Sequence, residues 1–148
     1  MVYVQEFEFY DSGGCVVASP CGGLDGGTFG DDLADAVESA ADWLSVMVDD
    51  CLIGGTELPE WSLGNEPTHG GRIIAVAVDR SIHDIPSMTA SEAAKALGVS
   101  SARVAQLINS GLLESWKDGS RRLVSKASVQ ARLESMPKAG RPKSRATA

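Results

Sequence analysis

The chain has 148 residues and a formal net charge of −7 at pH 7, and 43% of its residues are hydrophobic. This length accommodates one domain or two small ones, and the hydrophobic fraction argues against wholesale disorder. No stretch approaches the roughly 20 apolar residues of a membrane span, and the start, MVYVQEFEFYD, lacks the basic segment of a signal peptide.

The cysteines and the missing targeting signals indicate a compartment. Cys15, Cys21 and Cys51 are an odd number without CxxC spacing. This usage fits a reducing cytoplasm better than a disulfide scaffold. We therefore expect a cytoplasmic protein with no membrane contact.

Charge is divided unequally along the chain. Residues 1–87 hold two arginines against sixteen Asp and Glu, a net charge of −14, whereas residues 88–148 hold eleven Lys and Arg against four Asp and Glu, a net charge of +7. Such asymmetry between halves predicts two modules with different partners.

The first predicted element is a β-hairpin. Residues 2–10, VYVQEFEFY, are rich in β-branched and aromatic residues and partly alternate in polarity. Tyr3, Phe7 and Phe9 fall on one face of this strand, and Glu6 and Glu8 fall on the other. DSGG at 11–14 has turn chemistry, and CVVAS at 15–19 can return as the partner strand.

A glycine-rich loop at 20–30, with one short strand expected at 27–29, leads to a helix. Asp32 is its expected N-cap, Asp35 lies in its first turn, and Gly54-Gly55 ends it. Its apolar face is predicted from steps of three and four: Leu33, Val37, Ala40, Leu44, Met47, Val48 and Cys51. RIIAVAV at 72–78 is expected to be a strand buried in the sheet. This half is therefore a predicted β-β-(β)-α-β sheet covered by one long helix.

The N-terminal half resembles the HicB family of antitoxins over about residues 2–80. The similarity lies in the initial hairpin, in ASPCGGLDGGTFGDDLADAVESAADWL and in ELPEWS after the helix. The resemblance implies a HicB-like domain at 1–80, described as a reduced ribonuclease H fold. It also implies a partner, a small basic HicA-like ribonuclease toxin that this domain binds and inhibits.

The sequence pattern of the C-terminal half predicts a winged helix-turn-helix. TASEAAKALG predicts a short helix, with Thr89 and Glu92 as a capping box and Gly98 as the stop. Ser100 can cap a second helix over 101–109, in which Val104, Leu107 and Ile108 point inward. LLESWKDGSRRLVS predicts two short strands around a Gly turn, the wing. Ser125 is the expected cap of a last helix.

This order of elements resembles the excisionase/MerR-like winged-helix family over about residues 88–136. The resemblance implies that the second helix enters the major groove of DNA and that the wing meets phosphates or the minor groove. Arginine, glutamine and asparagine are side chains that hydrogen-bond base edges. The predicted DNA-binding residues are Ser101, Arg103, Gln106, Asn109, Lys117, Arg121 and Arg122. The alternative interpretation of these residues is a solvated basic face.

The remaining segments are assigned by composition. Residues 81–87 are predicted to be a linker between the two domains, and the basic, Pro- and Gly-containing residues 137–148 are predicted to be a disordered tail.

Signs of catalytic chemistry are weak in this sequence. His69 and His83 have no Cys or His at metal-ligand spacing, and GGLDGGTFG lacks the Lys-Ser/Thr of a P-loop. We therefore expect no metal, no cofactor and no enzymatic activity. The ribonuclease H relationship makes the carboxylates worth checking. Most lie on the predicted outward helix face (Asp35, Glu38, Asp42 and Asp49), while Glu6 and Glu8 keep nuclease activity open.

Three functions are compatible with these features. The first is a type II antitoxin that neutralises a HicA-like toxin and represses its own operon, with a homodimer or higher homo-oligomer on operator DNA. The second is a transcription regulator with no toxin partner, whose N-terminal domain dimerises or senses a ligand. The third is an excisionase-like protein that bends DNA for a recombinase.

Overall fold

The computed structural model describes residues 1–136, so the predicted tail at 137–148 lies outside it. The chain divides into two compact units, which we call the N-terminal unit, Met1–Ile85, and the C-terminal unit, which begins at Pro86. The assignment of toxin binding to 1–80 and of DNA binding to 88–136 stays a prediction. Within residues 1–136, no helix is both long enough and apolar enough to cross a membrane.

The N-terminal unit contains a four-stranded antiparallel sheet. Its strands are β1 (Val2–Ser12), β2 (Cys15–Pro20), β3 (Thr28–Gly30) and β4 (Arg72–Asp79), in the order β3-β2-β1-β4. Gly13 and Gly14 make the β1–β2 turn with φ of 61° and 85°, values that glycine adopts without steric cost. The predicted hairpin is confirmed.

Helix α1 (Leu33–Gly54) covers one face of this sheet. Asp32 caps it, since its side chain accepts a hydrogen bond from the Asp35 N–H, and Gly55 ends it with φ of 62°. The fully buried helix residues are Ala36, Ala40, Leu44 and Val48, and Met47 and Cys51 are half-buried. The four fully buried helix residues pack on Phe7, Phe9, Ala18 and Val76 of the sheet. The opposite face, which we call the outer face, carries Glu6, Glu8 and Tyr10.

The prediction that residues 72–78 lie buried in the sheet was wrong. β4 is an edge strand, and only Val76 within it is fully buried, while Ala75 and Ala77 are exposed. A continuous apolar run is typical of a strand covered on both faces, but here α1 covers one face only.

One further expectation changed at the end of the N-terminal unit. Asp49, predicted to lie on the outward face of α1, is an ion-pair partner of Arg80, whose Nε donates to Asp49 Oδ1 at 2.9 Å. Residues 81–87, predicted to be a linker, include a 3-10 turn at Ile82–Asp84. Ile85 is only 8% exposed and belongs to the N-terminal unit, so the first part of this segment is packed and does not extend freely into solvent.

The C-terminal unit combines three helices with a small antiparallel sheet. Its elements are β5 (Ser87–Thr89), α2 (Ala90–Leu97), α3 (Ser101–Asn109), β6 (Ser115–Asp118), β7 (Arg121–Ser125) and α4 (Lys126–Ser135), with sheet order β5-β7-β6. β5 was not predicted, since its three residues show no strand period. The core residues are Ala93, Ala94, Leu97, Val104, Leu107, Leu113, Val124 and Val129. The described residues thus form an α+β protein with two antiparallel sheets.

Candidate nucleic-acid interface

The two helices of the predicted helix-turn-helix begin and end where their caps predict. The Thr89 side chain accepts from the Glu92 N–H at 3.2 Å, and Glu92 Oε2 accepts from the Thr89 N–H at 2.7 Å, which completes the capping box of α2. The bond from the Thr89 N–H lowers the pKa of Glu92. Gly98 ends α2 with φ of 66°, which allows the tight turn into α3.

Helix α3 presents a polar face to solvent. The Ser100 side chain caps it by accepting from the Arg103 N–H at 3.2 Å. Val104 and Leu107 are 1% and 2% exposed, which fixes the rotation of the helix on the core. The four residues predicted to read DNA from this helix are all exposed: Ser101, Arg103, Gln106 and Asn109.

Two of these exposed side chains contact each other. Arg103 Nη1 donates to Gln106 Oε1 at 3.1 Å. The spacing of three residues places the two side chains next to each other on the helix surface. Arg103 and Gln106 therefore form one polar unit at the centre of the exposed face of α3.

The wing separates the three basic residues that the sequence grouped together. Lys117 lies directly opposite Arg122 in the β6–β7 pair, whereas Arg121 lies opposite Asp118. Because side chains alternate between faces of a strand, Lys117 and Arg122 share one face and Arg121 lies on the other. All three are exposed.

Ser115 is a residue of this surface that the sequence did not indicate. Its hydroxyl accepts from Arg122 Nη1 at 2.9 Å and so holds the guanidinium beside β6. No local pattern could have identified it, since the contact depends on the register between two strands. Ser115 is therefore a positioning residue for Arg122.

The wing is anchored by a buried tryptophan and by hydrogen bonds to α4. Trp116 of β6 is 8% exposed and lies opposite Leu123 of β7. The Ser125 side chain caps α4 by accepting from the Ser128 N–H at 3.2 Å, and the Glu114 N–H donates to Ser128 Oγ, also at 3.2 Å. These contacts connect the start of the wing to α4. The basic side chains thus project from an ordered hairpin rather than from a loop.

In the N-terminal unit, the two glutamates of β1 are buried under the segment 62–71. Glu8 is 3% exposed, and its carboxylate accepts from three backbone N–H groups, those of Thr68 at 3.1 Å, His69 at 2.6 Å and Gly71 at 3.2 Å. The Thr68 hydroxyl at 3.1 Å and His69 Nδ1 at 2.9 Å complete its partners. Glu6 accepts from the N–H groups of Gly64 and Asn65 and from Asn65 Nδ2.

These contacts lower the pKa of both carboxyls. Burial by itself raises the pKa of Glu8, but the hydrogen bonds from His69, Thr68 and Gly71 outweigh it and bring the pKa to about 2. The backbone N–H groups of Gly64 and Asn65 likewise lower the pKa of Glu6. Both side chains are ionised at neutral pH, and their oxygens are occupied in holding the segment 62–71 on the outer face.

The cysteines and His69 are the other residues of the N-terminal unit considered for catalysis or metal binding. All three cysteines are free thiols, and burial raises the pKa of Cys21, which keeps it in the less nucleophilic form. The His69 ring stacks on Tyr10, with ring centroids 4.3 Å apart. Among residues 1–136, no three His, Cys, Asp or Glu side chains come together as a metal-binding group.

Comparison with known protein families identifies the C-terminal unit. A family model described as a helix-turn-helix domain matches residues 87–137. Neither the curated proteins nor the solved structures include a match to the chain. The C-terminal unit therefore carries a helix-turn-helix domain, and this domain indicates a DNA-binding regulatory role.

Proposed function

We propose that the protein is the antitoxin of a type II toxin–antitoxin pair. The N-terminal unit binds and inhibits a small basic HicA-like ribonuclease toxin, and the C-terminal unit represses the operon that encodes both proteins. The single observation that carries this proposal is that the charge division coincides with the structural division: all sixteen Asp and Glu of the acidic half fall within Met1–Ile85. The HicB resemblance supports the choice of partner.

The physical reasoning concerns two opposite binding tasks. A unit with a net charge of −14 attracts a basic RNA-binding protein and avoids nucleic acid. The basic C-terminal half can still approach DNA, since charges more than about 8 Å apart are largely screened at physiological salt. One chain can therefore hold both a protein-binding acidic unit and a DNA-binding basic unit.

On operator DNA, α3 is the element we propose to enter the major groove. Its exposed Arg103, Gln106 and Asn109 hydrogen-bond base edges, and Ser101 contacts DNA at the start of the helix. Lys117, Arg121 and Arg122 of the wing contact phosphates or the minor groove. Because one winged helix covers little DNA, two copies on a palindromic site are needed for tight binding, so we propose a homodimer.

The antitoxin proposal is tested by the product of the neighbouring gene. A catalytically inactive form of a small basic protein encoded beside this gene is mixed with the full-length chain and analysed by size-exclusion chromatography. Formation of a complex, together with relief of toxicity when the two genes are expressed together, supports the proposal. If the neighbouring gene encodes a recombinase, and co-expression relieves no toxicity, the excisionase-like function replaces the antitoxin proposal.

We predict that residues 1–85 fold alone and bind this toxin as well as the full chain does. The reason is that this unit has its own hydrophobic core, which includes Phe7, Leu44 and Val76, and carries the whole net charge of −14. Isothermal titration of the 1–85 fragment and of the full chain measures the two affinities. Tight binding by the full chain with none by a folded 1–85 fragment would contradict the modular arrangement.

We predict that the two faces of the wing differ in DNA binding. Lys117→Ala and Arg122→Ala remove neighbouring positive charges on one face, so each should weaken binding to operator and unrelated DNA alike. Each should also reduce the salt dependence by about one unit for every phosphate that the variant no longer binds. Fluorescence anisotropy over a salt series measures both effects.

Arg121→Ala is the comparison for the wing, because it removes the same charge from the opposite face, beside Asp118, and it should weaken DNA binding less than Arg122→Ala does. A salt dependence that falls with Arg121→Ala and not with Arg122→Ala would show that the other face of the wing meets the phosphates.

A further inference from the structure

The two edge strands of the N-terminal sheet differ in how well they are protected against pairing with another chain. β3 at one edge is three residues long, which is a usual way to limit pairing with other chains. β4 at the other edge is eight residues long, and its central residues, IIAVAV at 73–78, include no charge, proline or glycine. Within residues 1–136, no strand pairs with the far side of β4. We call that side the free edge.

Hydrogen bonding at one end of the sheet fixes which groups point to the free edge. The Arg80 N–H donates to the Met1 carbonyl at 3.0 Å, and the Met1 amine donates to the Arg80 carbonyl at 3.3 Å. In an antiparallel pair, such bonded residue pairs alternate with non-bonded ones. With the observed register, Val78, Val76 and Ile74 bond to β1. Ile73, Ala75 and Ala77 therefore direct their N–H and C=O groups outward.

We propose that the free edge of β4 pairs antiparallel with β4 of a second copy of this chain. A two-fold axis at Ala75 joins the outward N–H and C=O groups of the two strands into one continuous eight-stranded sheet. The exposed Ala75 then faces its counterpart, and the exposed Ala77 faces Ile73, without steric conflict. The half-buried Ile74 of the helix-covered face then lies opposite Val76 of the second copy and gains an apolar neighbour.

Charge supports this occupant and this direction. The N-terminal unit has two arginines, Arg72 and Arg80, and they flank the apolar run of β4; Arg80 is paired with Asp49, whereas Arg72 is exposed. In an antiparallel pair, the end of one strand that carries Arg72 lies beside the end of the other that carries Asp79. A parallel pair would place like charges at both ends instead.

This inference deepens the proposed function, because it rests on the homodimer proposed for operator binding and assigns its contact to the N-terminal unit. The net charge of −14 per unit opposes association at low salt and is screened at high salt. Self-association through β4 is therefore expected to strengthen as salt rises, whereas DNA binding weakens. The opposite salt dependences separate the two activities.

The test is sedimentation equilibrium of the full-length chain at about 0.05 and 0.5 M NaCl. Ala75→Pro removes one outward N–H from each copy and no bond to β1, so the dimer dissociation constant should rise by about 30-fold, as expected for the removal of two hydrogen bonds of about 1 kcal/mol each. Ala77→Lys, which places a like charge at the edge of each copy, should raise it as well. Val46→Lys, an equally polar change on the exposed side of α1, should leave it unchanged.

Circular dichroism checks that each variant keeps the wild-type secondary structure, and Ala77→Lys decides the matter if Ala75→Pro does not fold. A wild-type chain that stays monomeric at both salt concentrations would overturn the inference. So would a dimer that Ala77→Lys weakens no more than Val46→Lys does. Operator binding is measured separately on the wild-type chain, so that a failure of the proposed DNA function is distinguished from a failure of the β4 contact.

Discussion

Arg103→Ala is expected to weaken operator binding by about 5- to 150-fold, which corresponds to about 1–3 kcal/mol for a bidentate base contact. Arg103 is exposed at the centre of α3, and its guanidinium is held by Gln106 at 3.1 Å. The alanine variant lacks the proposed base contact, a positive charge and the group that orients Gln106. Fluorescence anisotropy with the promoter upstream of the gene, and with a scrambled duplex, measures the decrease in affinity and in preference.

Gln106→Ala separates recognition from charge. Glutamine contributes no positive charge, so this variant should lose preference for the operator while its affinity for the scrambled duplex and its salt dependence stay the same. Gln130→Ala is the matched control, because Gln130 is an exposed glutamine of α4 that contacts Glu134 within the same unit. An unchanged preference in Gln106→Ala, with wing variants that do change it, would mean that α3 is not the reading element.

Glu8→Gln is expected to lower the melting temperature of the N-terminal unit by about 10 °C or more. The Glu8 carboxylate accepts from Thr68, His69 and Gly71 at once. An amide replaces one of its oxygens with a donor, which then faces other donors in a buried site. The segment 62–71 should detach from the outer face. Scanning calorimetry of the full chain, with hydrogen exchange at His69 and Gly71, measures both consequences.

The same contacts predict how stability depends on pH. The pKa of Glu8 is about 2 in the folded protein against an ordinary value of 4.5, so the folded state binds its proton less readily than the unfolded state does. Its contribution to stability is complete above pH 4.5 and is lost as the pH falls from 4.5 toward 2. The difference in melting temperature between wild type and Glu8→Gln should therefore be largest at neutral pH and shrink below pH 4.5.

Glu66→Gln is the control for this experiment, since it makes the same change at an exposed position of the same segment. It should leave the melting temperature within about 2 °C of wild type. Equal effects of the two variants at neutral pH would show that Glu8 acts through overall charge and not through its hydrogen bonds.

Local signals in the sequence were sufficient for most of the elements. The predicted helix caps are all found in the structure: the side chains of Asp32, Thr89, Ser100 and Ser125 each accept a backbone hydrogen bond at the start of a helix. They were predictable because capping depends on residues within one turn. The glycine stops were predictable for the same reason. The exposed face of α3 also follows from local periodicity, which placed Val104 and Leu107 inward.

Contacts between distant residues could not be predicted in this way. Glu6 and Glu8 lie on the face that strand alternation assigned to them, but nothing local indicates that residues 64–71 cover that face. The position of β4 at the edge depends on the order in which strands pair. The same holds for the wing, where the cross-strand register separates Arg121 from Arg122 and brings Ser115 to the latter.

The bond between Arg103 and Gln106 has a consequence for the sequence of the operator. Glutamine that reads adenine uses its oxygen to accept from N6 and its amide to donate to N7, but the Gln106 oxygen already accepts from Arg103. Held in this way, the pair offers mostly donors to the base edges that α3 is proposed to contact, because one lone pair of the Gln106 oxygen is engaged by Arg103. Guanine, with acceptors at both N7 and O6, is the base whose edge matches them. Each operator half-site should therefore carry a guanine beneath the middle of α3, and its replacement by adenine should be poorly tolerated.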